Sequence, residues 1–355
     1  MKKENRVLQF LTSKKARSYL LIAVLVVALY VVFNLLIGAG VINRYYEGIV
    51  RLICINIIMA VSLNLVCGFM GQLALGHAGF MSVGAYAAAL FTMNSGLPEA
   101  VALPLSLIVG GLFAAVIGFI IGIPALRMRG DYLAIITLGF GEIIRVVANA
   151  LPITGGAMGL SGIPAYTNFT NAYWVMIISV FVIYAFIKSR HGRAVLSIRE
   201  DEIAAEASGV RTTYYKMMAF VLAAFFAGIA GGLYAHQVGV LAPSKFDFNY
   251  SVEFLVMVVL GGMGSITGSI IAATVLTILP EALRGFSDYR MLLYSVVLIV
   301  MMLFRPTGLL GTYEFSLTRM LGWKPKHRES SMSTVSGSPV SNVIVARFSF
   351  SSSYL

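Results

Sequence analysis

Apolar runs of bilayer length alternate with short polar or Gly/Pro breaks along most of the chain. Residues 19–37, 48–66, 80–93, 101–123 and 131–150 form one series, followed by 173–187 and 217–238. A long apolar run at 252–279 is interrupted by Gly261-Gly262-Met263-Gly264 and Gly268 and reads as two half-helices, and 291–304 is the last span. A crossing takes about 20 residues. The pattern therefore predicts an all-α polytopic membrane protein of about ten transmembrane or half-membrane helices. The first run is too long for a signal-peptide core and lacks a convincing small-residue cleavage site, so it reads as an uncleaved helix.

One hydrophilic island, 190–216, separates two of these runs and is the longest charged stretch inside the apolar body. Nothing between Ala194 and Ala207 breaks a helix, and Ile198, Glu202, Ala205 and Glu206 fall on one face, so a short surface helix is expected there, ended by Gly209. Ala204, Ala205 and Ala207 give it little surface of its own to bury, which suits a helix resting in another protein's cleft. A solvated loop is the plainer reading of the same charges.

Composition agrees with the pattern. Of 355 residues, 59% are hydrophobic and 12% charged, with a mean hydropathy of +0.87, outside the range of soluble domains. The net charge of +11 invites a nucleic-acid reading. Lys and Arg sit at segment ends rather than along one face, however, so nucleic acid is set aside in favour of the positive-inside pattern of a chain in contact with membrane lipid. Lys2, Lys3, Arg6, Lys14, Lys15 and Arg17 against the single Glu4 place residues 1–18 in the cytoplasm as a basic N-terminus. Arg127 and Arg129 mark another cytoplasmic loop, while 94–100 and the uncharged 151–172 fall outside. An even number of spans returns the C-terminus to the cytoplasm, where Arg305, Arg319, Lys324, Lys326 and Arg328 belong. The transmembrane region is bounded at 19–311, and 312–355 is expected to be a largely disordered, Ser-rich cytoplasmic tail. Cys54 and Cys67 are too few for a disulfide framework and read as small core residues.

Two stretches within the apolar body carry polarity that a span does not need. Gly68-Phe69-Met70-Gly71-Gln72 continues to Gly76 and His77, and Gly262-Met263-Gly264-Ser265 follows Gly261 in the other half. Both read G-x-M-G and then a polar side chain, which suggests two repeat-like halves meeting at a pathway. Unpaired backbone groups are tolerated at depth only where they line a cavity or are buried in protein. Close packing of small residues is the alternative for both. Asn64, Gln72 and His77 with the neighbouring backbone are candidate pathway groups. Glu142 and Arg145, three residues apart, are expected to form a structural intramembrane pair. No second His or Cys stands at ligand spacing from His77 or His236, so no metal is expected, nor any cofactor. Absent too are a phosphate-binding G-x-x-x-x-G-K-[ST] and the motifs of membrane hydrolases, so the chain is not expected to be an enzyme, and any ATP hydrolysis falls to partners.

Taken in order, LNLVCGFMGQLALGHAGFMSVGAYAAA (63–89), RMRGDYLAIITLGFGEIIR (127–145), TGGAMGLSGIP (154–164), GRAVLSIREDEIAAEASGV (192–210), VVLGGMGSITG (258–268) and LFRPTGLLG (303–311) resemble the larger, LivM-type permease subunit of bacterial ABC importers for branched-chain amino acids. The resemblance covers about 51–311. It implies a multi-pass protein of the bacterial inner membrane, a second, LivH-like permease subunit, two cytoplasmic ATP-binding subunits and a periplasmic or lipid-anchored substrate-binding protein. It also turns the island from a solvated loop into a coupling loop. The family's E-x-A-A-x-x-x-G pattern falls on Glu202, Ala204, Ala205 and Gly209, with Arg199, Glu200 and Asp201 at the rim of the ATPase contact and Ala204 and Ala205 deep in its cleft. Relatives of this type also carry urea, short amides and other amino acids. The rival classes are a self-sufficient channel or ion-coupled carrier, which leaves the acidic, Ala-rich loop unexplained, and a membrane enzyme.

Overall fold

The computed structural model describes residues 14–40, 42–128 and 130–284, with positions 289, 292, 295, 296, 299 and 303 beyond them. The segment before residue 14, the tail from 312 and most of the expected span at 291–304 lie outside the described residues. Eleven α-helices occur among the described residues. These are α1 (Lys14–Gly38), α2 (Arg44–Asn64), α3 (His77–Ser95), α4 (Glu99–Ala125), α5 (Asp131–Ala150), α6 (Phe169–Lys188), α7 (Arg190–Glu200), α8 (Glu202–Ala207), α9 (Thr212–Val238), α10 (Phe248–Gly261) and α11 (Ile266–Ala282). Six are long and apolar enough to cross a membrane: α1, α2 with the turn that extends it to Phe69, α4, α5, α6 and α9. The interrupted run near 260 is two helices, α10 of 14 residues and α11 of 17.

Three local expectations are corrected. First, α1 begins at Lys14, five residues before the apolar run, because nothing in Lys-Lys-Ala-Arg-Ser breaks a helix. Second, the chain is not purely helical. Leu160–Ser161 (β1) pairs antiparallel with Val240–Leu241 (β2), tying the long uncharged loop to the segment after α9. Third, the surface helix expected across 194–207 is two helices. Asp201 is extended (φ −158°, ψ 112°), and its carboxylate accepts from the backbone N–H of Ile203 at 2.9 Å and Ala204 at 3.0 Å. An aspartate that caps a new helix in this way competes with continuing the old one. Gly209 ends α8 as expected, in a left-handed conformation (φ +85°).

The core is a wedge of α3, α4 and α9, with α2 against α9 and α11 packed on α2 and α10. Apolar surface cannot drive helices together inside lipid, so close approach through small residues does the holding. A Cβ built on Gly84 of α3 would fall inside the backbone of Gly228 of α9, 2.6 Å from its carbonyl carbon. One on Gly110 of α4 would lie 2.6 Å from the Gly84 carbonyl oxygen. All three helices thus touch backbone to backbone at one level, with Ala85, Ala88, Ala114, Ala224 and Ala227 buried around them. From Cys54 onward α2 is buried too. By contrast α1 is mostly exposed and rests on α6, through Tyr30 and Phe33 against Phe169. At the end of α2 expected outside the cytoplasm, the Arg51 guanidinium donates to the Thr167 carbonyl at 2.7 Å rather than standing in solvent.

Candidate functional site: the paired breaks and the surface helices

The two glycine stretches meet. At the end of α2 the chain loosens into a single wide turn, Leu65–Phe69, in which Met70 N–H reaches back five residues to the Leu65 carbonyl at 3.1 Å. Such wider turns often mark functional sites in helices. Gly71 (φ +74°) then turns the chain, residues 71–76 run without helix, and α3 starts at His77. In the other half, Gly262 and Gly264 (φ +88°) separate α10 from α11, whose first turn is capped by Ser265 Oγ accepting from Gly268 N at 3.1 Å. Between them stands Asn64. Its amide donates to the Ser265 carbonyl at 2.9 Å and Ser269 Oγ at 2.8 Å, and its oxygen accepts from Gly264 N at 2.9 Å. Gly68 sits against Asn64 Oδ1 and Gly264 N with no room for a Cβ, and Gly261 packs on the Gly268 backbone.

Other expected pathway groups are placed differently. His77 is buried, its Nε2 paired with Ser62 Oγ at 2.8 Å. Asn64 is equally buried, so in this conformation neither side chain offers surface to a passing solute. Gln72 is half-buried, and its Oε1 has no hydrogen-bond partner among the described residues. Gly76 lies on the Thr137 backbone of α5, while Leu75 N donates to Thr137 Oγ1 at 3.0 Å and Ala78 N to Ser251 Oγ at 3.2 Å. The start of α3 is thus clamped between α5 and α10. Replacing Asn64 by leucine removes three hydrogen bonds and strands the Gly264 N–H, so we expect a loss of about 2–4 kcal/mol. Thermal inactivation of the detergent-purified protein measures it.

On the surface, α7 and α8 are fastened to the bundle rather than laid over it. Val195, Ile198 and Ala205 are buried against their own chain. Lys216 of α9, 3% exposed, pairs with Glu202 at 2.7 Å. Ala205, expected to enter a partner, therefore faces inward, and the free face of α8 consists of Ile203 (71% exposed), Ala204, Glu206 and Ala207. Glu200 and Asp201 are exposed beside it. Arg199 is exposed as well, and its stem lies over Gly71 while its guanidinium comes to Gly264. A methyl group on Gly71 would approach Arg199 Cγ to 3.0 Å, and one on Gly264 would approach Nη1 to 2.6 Å. One side chain of a surface helix thus touches both breaks, a juxtaposition that sequence spacing gave no sign of.

Glu142 and Arg145 pair within α5, with Nε and Nη2 each 2.7 Å from Glu142 Oε2. Cys54 and Cys67 are buried and free.

Several long apolar helices, two of them interrupted at facing glycine breaks, and a polar surface hairpin locked to the bundle define a multi-pass membrane transport protein. Residues 45–305 match the family described as "Branched-chain amino acid transport system / permease component". The chain is 39% identical over 304 residues to the high-affinity branched-chain amino acid transport system permease protein LivM of Salmonella typhimurium, covering 76% of this chain and 71% of that protein. With its counterpart from Escherichia coli strain K12 it shares 38% over 325 residues, 82% and 74% of the two chains. Permease LivH of the same E. coli strain is 32% identical over 153 residues, 42% of this chain and 49% of that one. No solved structure matches the chain significantly. The chain belongs to this permease-component family.

Proposed function

We propose that the chain is the larger permease subunit of an ATP-driven importer for branched-chain amino acids in the bacterial inner membrane. It works with a LivH-like permease subunit, two ATP-binding subunits and a periplasmic or lipid-anchored binding protein. Both termini and the α7–α8 hairpin face the cytoplasm, about ten transmembrane or half-membrane helices form two repeat-like halves, and hydrolysis takes place in the partner subunits. The observation that carries the coupling role is the α7–α8 hairpin itself. It offers Ile203, Ala204 and Ala207 outward, is locked to α9 through Glu202 and Lys216, and rests Arg199 on both breaks. A partner bearing on α8 acts on α9 and on the two breaks together, which is the connection that alternating access requires. Leucine, isoleucine and valine are the proposed substrates because two relatives, matched over 71% and 74% of their length, are named as branched-chain amino acid permeases.

The test is co-purification and uptake with Ile203→Arg combined with Ala204→Arg. Both positions are exposed, so the substitutions cost little stability, within about 0.5 kcal/mol. We expect the double variant to accumulate normally, to lose the ATP-binding subunits in mild detergent, and to lose leucine uptake. Retained ATPase subunits, or transport by the chain alone in liposomes, would defeat the reading in favour of a self-sufficient channel or carrier. Competition of uptake by valine and isoleucine, set against urea and short amides, decides the substrate class.

A further inference from the structure

We infer that Glu142 and Arg145 form the site on α5 that takes the charged head of the transported amino acid, with the substrate carboxylate on Arg145 and its ammonium on Glu142. This rests on the importer reading above.

The first observation is exposure. The two side chains are 33% and 36% exposed on an apolar helix whose neighbouring positions Ile143 and Val146 are 55% and 57% exposed. A charge at a helix centre in hydrocarbon costs at least about 2.5–3.5 kcal/mol, and such residues face protein or a watery path rather than lipid. A structural pair would be expected inside the bundle, on the side where Leu133, Ala134, Thr137 and Ala148 are buried. This pair stands off that side.

The second observation is unused capacity. The Arg145 Nε and Nη2 contacts converge on one carboxylate oxygen, Glu142 Oε2. Glu142 Oε1 and Arg145 Nη1 have no hydrogen-bond partner among the described residues. A guanidinium holds a carboxylate in a fork of parallel bonds, and a carboxylate oxygen accepts from an ammonium. The pair is therefore complementary to a zwitterion. When a zwitterion binds, one internal ion pair is exchanged for two external ones, a nearly balanced exchange that suits a site which must also let go.

The third observation is location. Glu142, though not Arg145, borders a water-sized recess with Leu75, Gly79, Gly141, Asp247 and Ser251. Gly141 sits against Gly76, so Glu142 lies one residue, and Arg145 one helical turn, from where α5 touches the break before α3. Asp247 is committed to capping α10, accepting from Tyr250 N at 3.0 Å. Glu142 Oε1 caps no helix and stands as an acceptor for an ammonium beside the break before α3.

The assembled importer in proteoliposomes, with its binding protein and ATP, provides the test. Wild type, Glu142→Gln, Arg145→Gln and the exchange Glu142→Arg with Arg145→Glu are compared for leucine uptake and for co-purification of the other subunits. Each single variant is expected to lose roughly tenfold or more of its uptake, the scale of one charged hydrogen bond. The exchange keeps an ion pair but reverses the polarity met by the substrate, so it is expected not to recover. Recovery of uptake by the exchange, or single variants equal to wild type, makes the pair structural and overturns the inference alone. A wild-type complex that carries no branched-chain amino acid overturns the importer reading and the inference with it.

A second measurement covers variants that fail to assemble. A cysteine replacing Leu138, which also lines the cavity, can be labelled with a small maleimide, since both native cysteines are buried. Millimolar leucine is expected to slow labelling several-fold in the wild-type pair background. A rate unchanged by leucine overturns the inference.

Discussion

Valine in place of Gly84 is expected to remove the folded protein from the membrane. The wedge of α3, α4 and α9 has no side chains at its tightest level that could move aside. A Cβ on Gly84 meets Gly228 backbone, and Gly84's own carbonyl is what a Cβ on Gly110 would strike. Overpacking a core costs about 1–3 kcal/mol where side chains can yield and more where they cannot. In lipid the lost contact is also the principal attraction between these helices. Gly84→Ala should lower the amount of extractable, monodisperse protein several-fold, and Gly84→Val should abolish it. Glycine-to-alanine at Gly48, where a Cβ meets nothing within 4 Å, is the matched control and should accumulate normally. Size-exclusion of detergent extracts reads all three.

The second large effect is asymmetric. Lys216 is almost completely buried, whereas Glu202 keeps about a quarter of its side chain exposed. Removing the acid by Glu202→Ala leaves an ammonium in a protein-lined site without its carboxylate, and breaking a buried pair in this way costs about 3–5 kcal/mol. Lys216→Met removes the buried charge and leaves a carboxylate that can turn to water, so its cost should be a fraction of that. The combined Glu202→Ala, Lys216→Met protein should be more stable than Glu202→Ala alone. Thermal unfolding of the purified chain orders the three. An equal loss in both single variants would show that the pair is worth no more than a surface contact.

The apolar runs of the sequence map onto the helices because hydrophobicity over twenty residues is a local quantity. The break near 262 was legible for the same reason: glycines and a polar residue interrupt an apolar run where they stand. That the two breaks touch was suggested by their shared G-x-M-G start, although the residue joining them, Asn64, lies upstream of either motif. The division of the surface hairpin at Asp201 carries a local signal, an N-cap residue followed by Glu-Ile-Ala-Ala, in a stretch that has no Gly or Pro to break a helix. What could not be read was which way Ala205 and Arg199 face, because that depends on α9 and the breaks arriving from distant parts of the chain. The meeting of Gly84, Gly110 and Gly228 is of the same kind. Each glycine lies in an unremarkable apolar run, and only the crossing of three helices gives it a purpose.

Side chains in contact can be rearranged by changing rotamers, which is how most helix pairs creep past one another. Backbones in contact have no rotamers. The wedge of α3, α4 and α9 therefore behaves as a single gear, and α8, pinned to α9, is its handle. A displacement of α8 passes to α9 through side chains, chiefly the Glu202–Lys216 pair, so the slack in the machine lies at that joint, while α3 and α4 follow α9 as one piece.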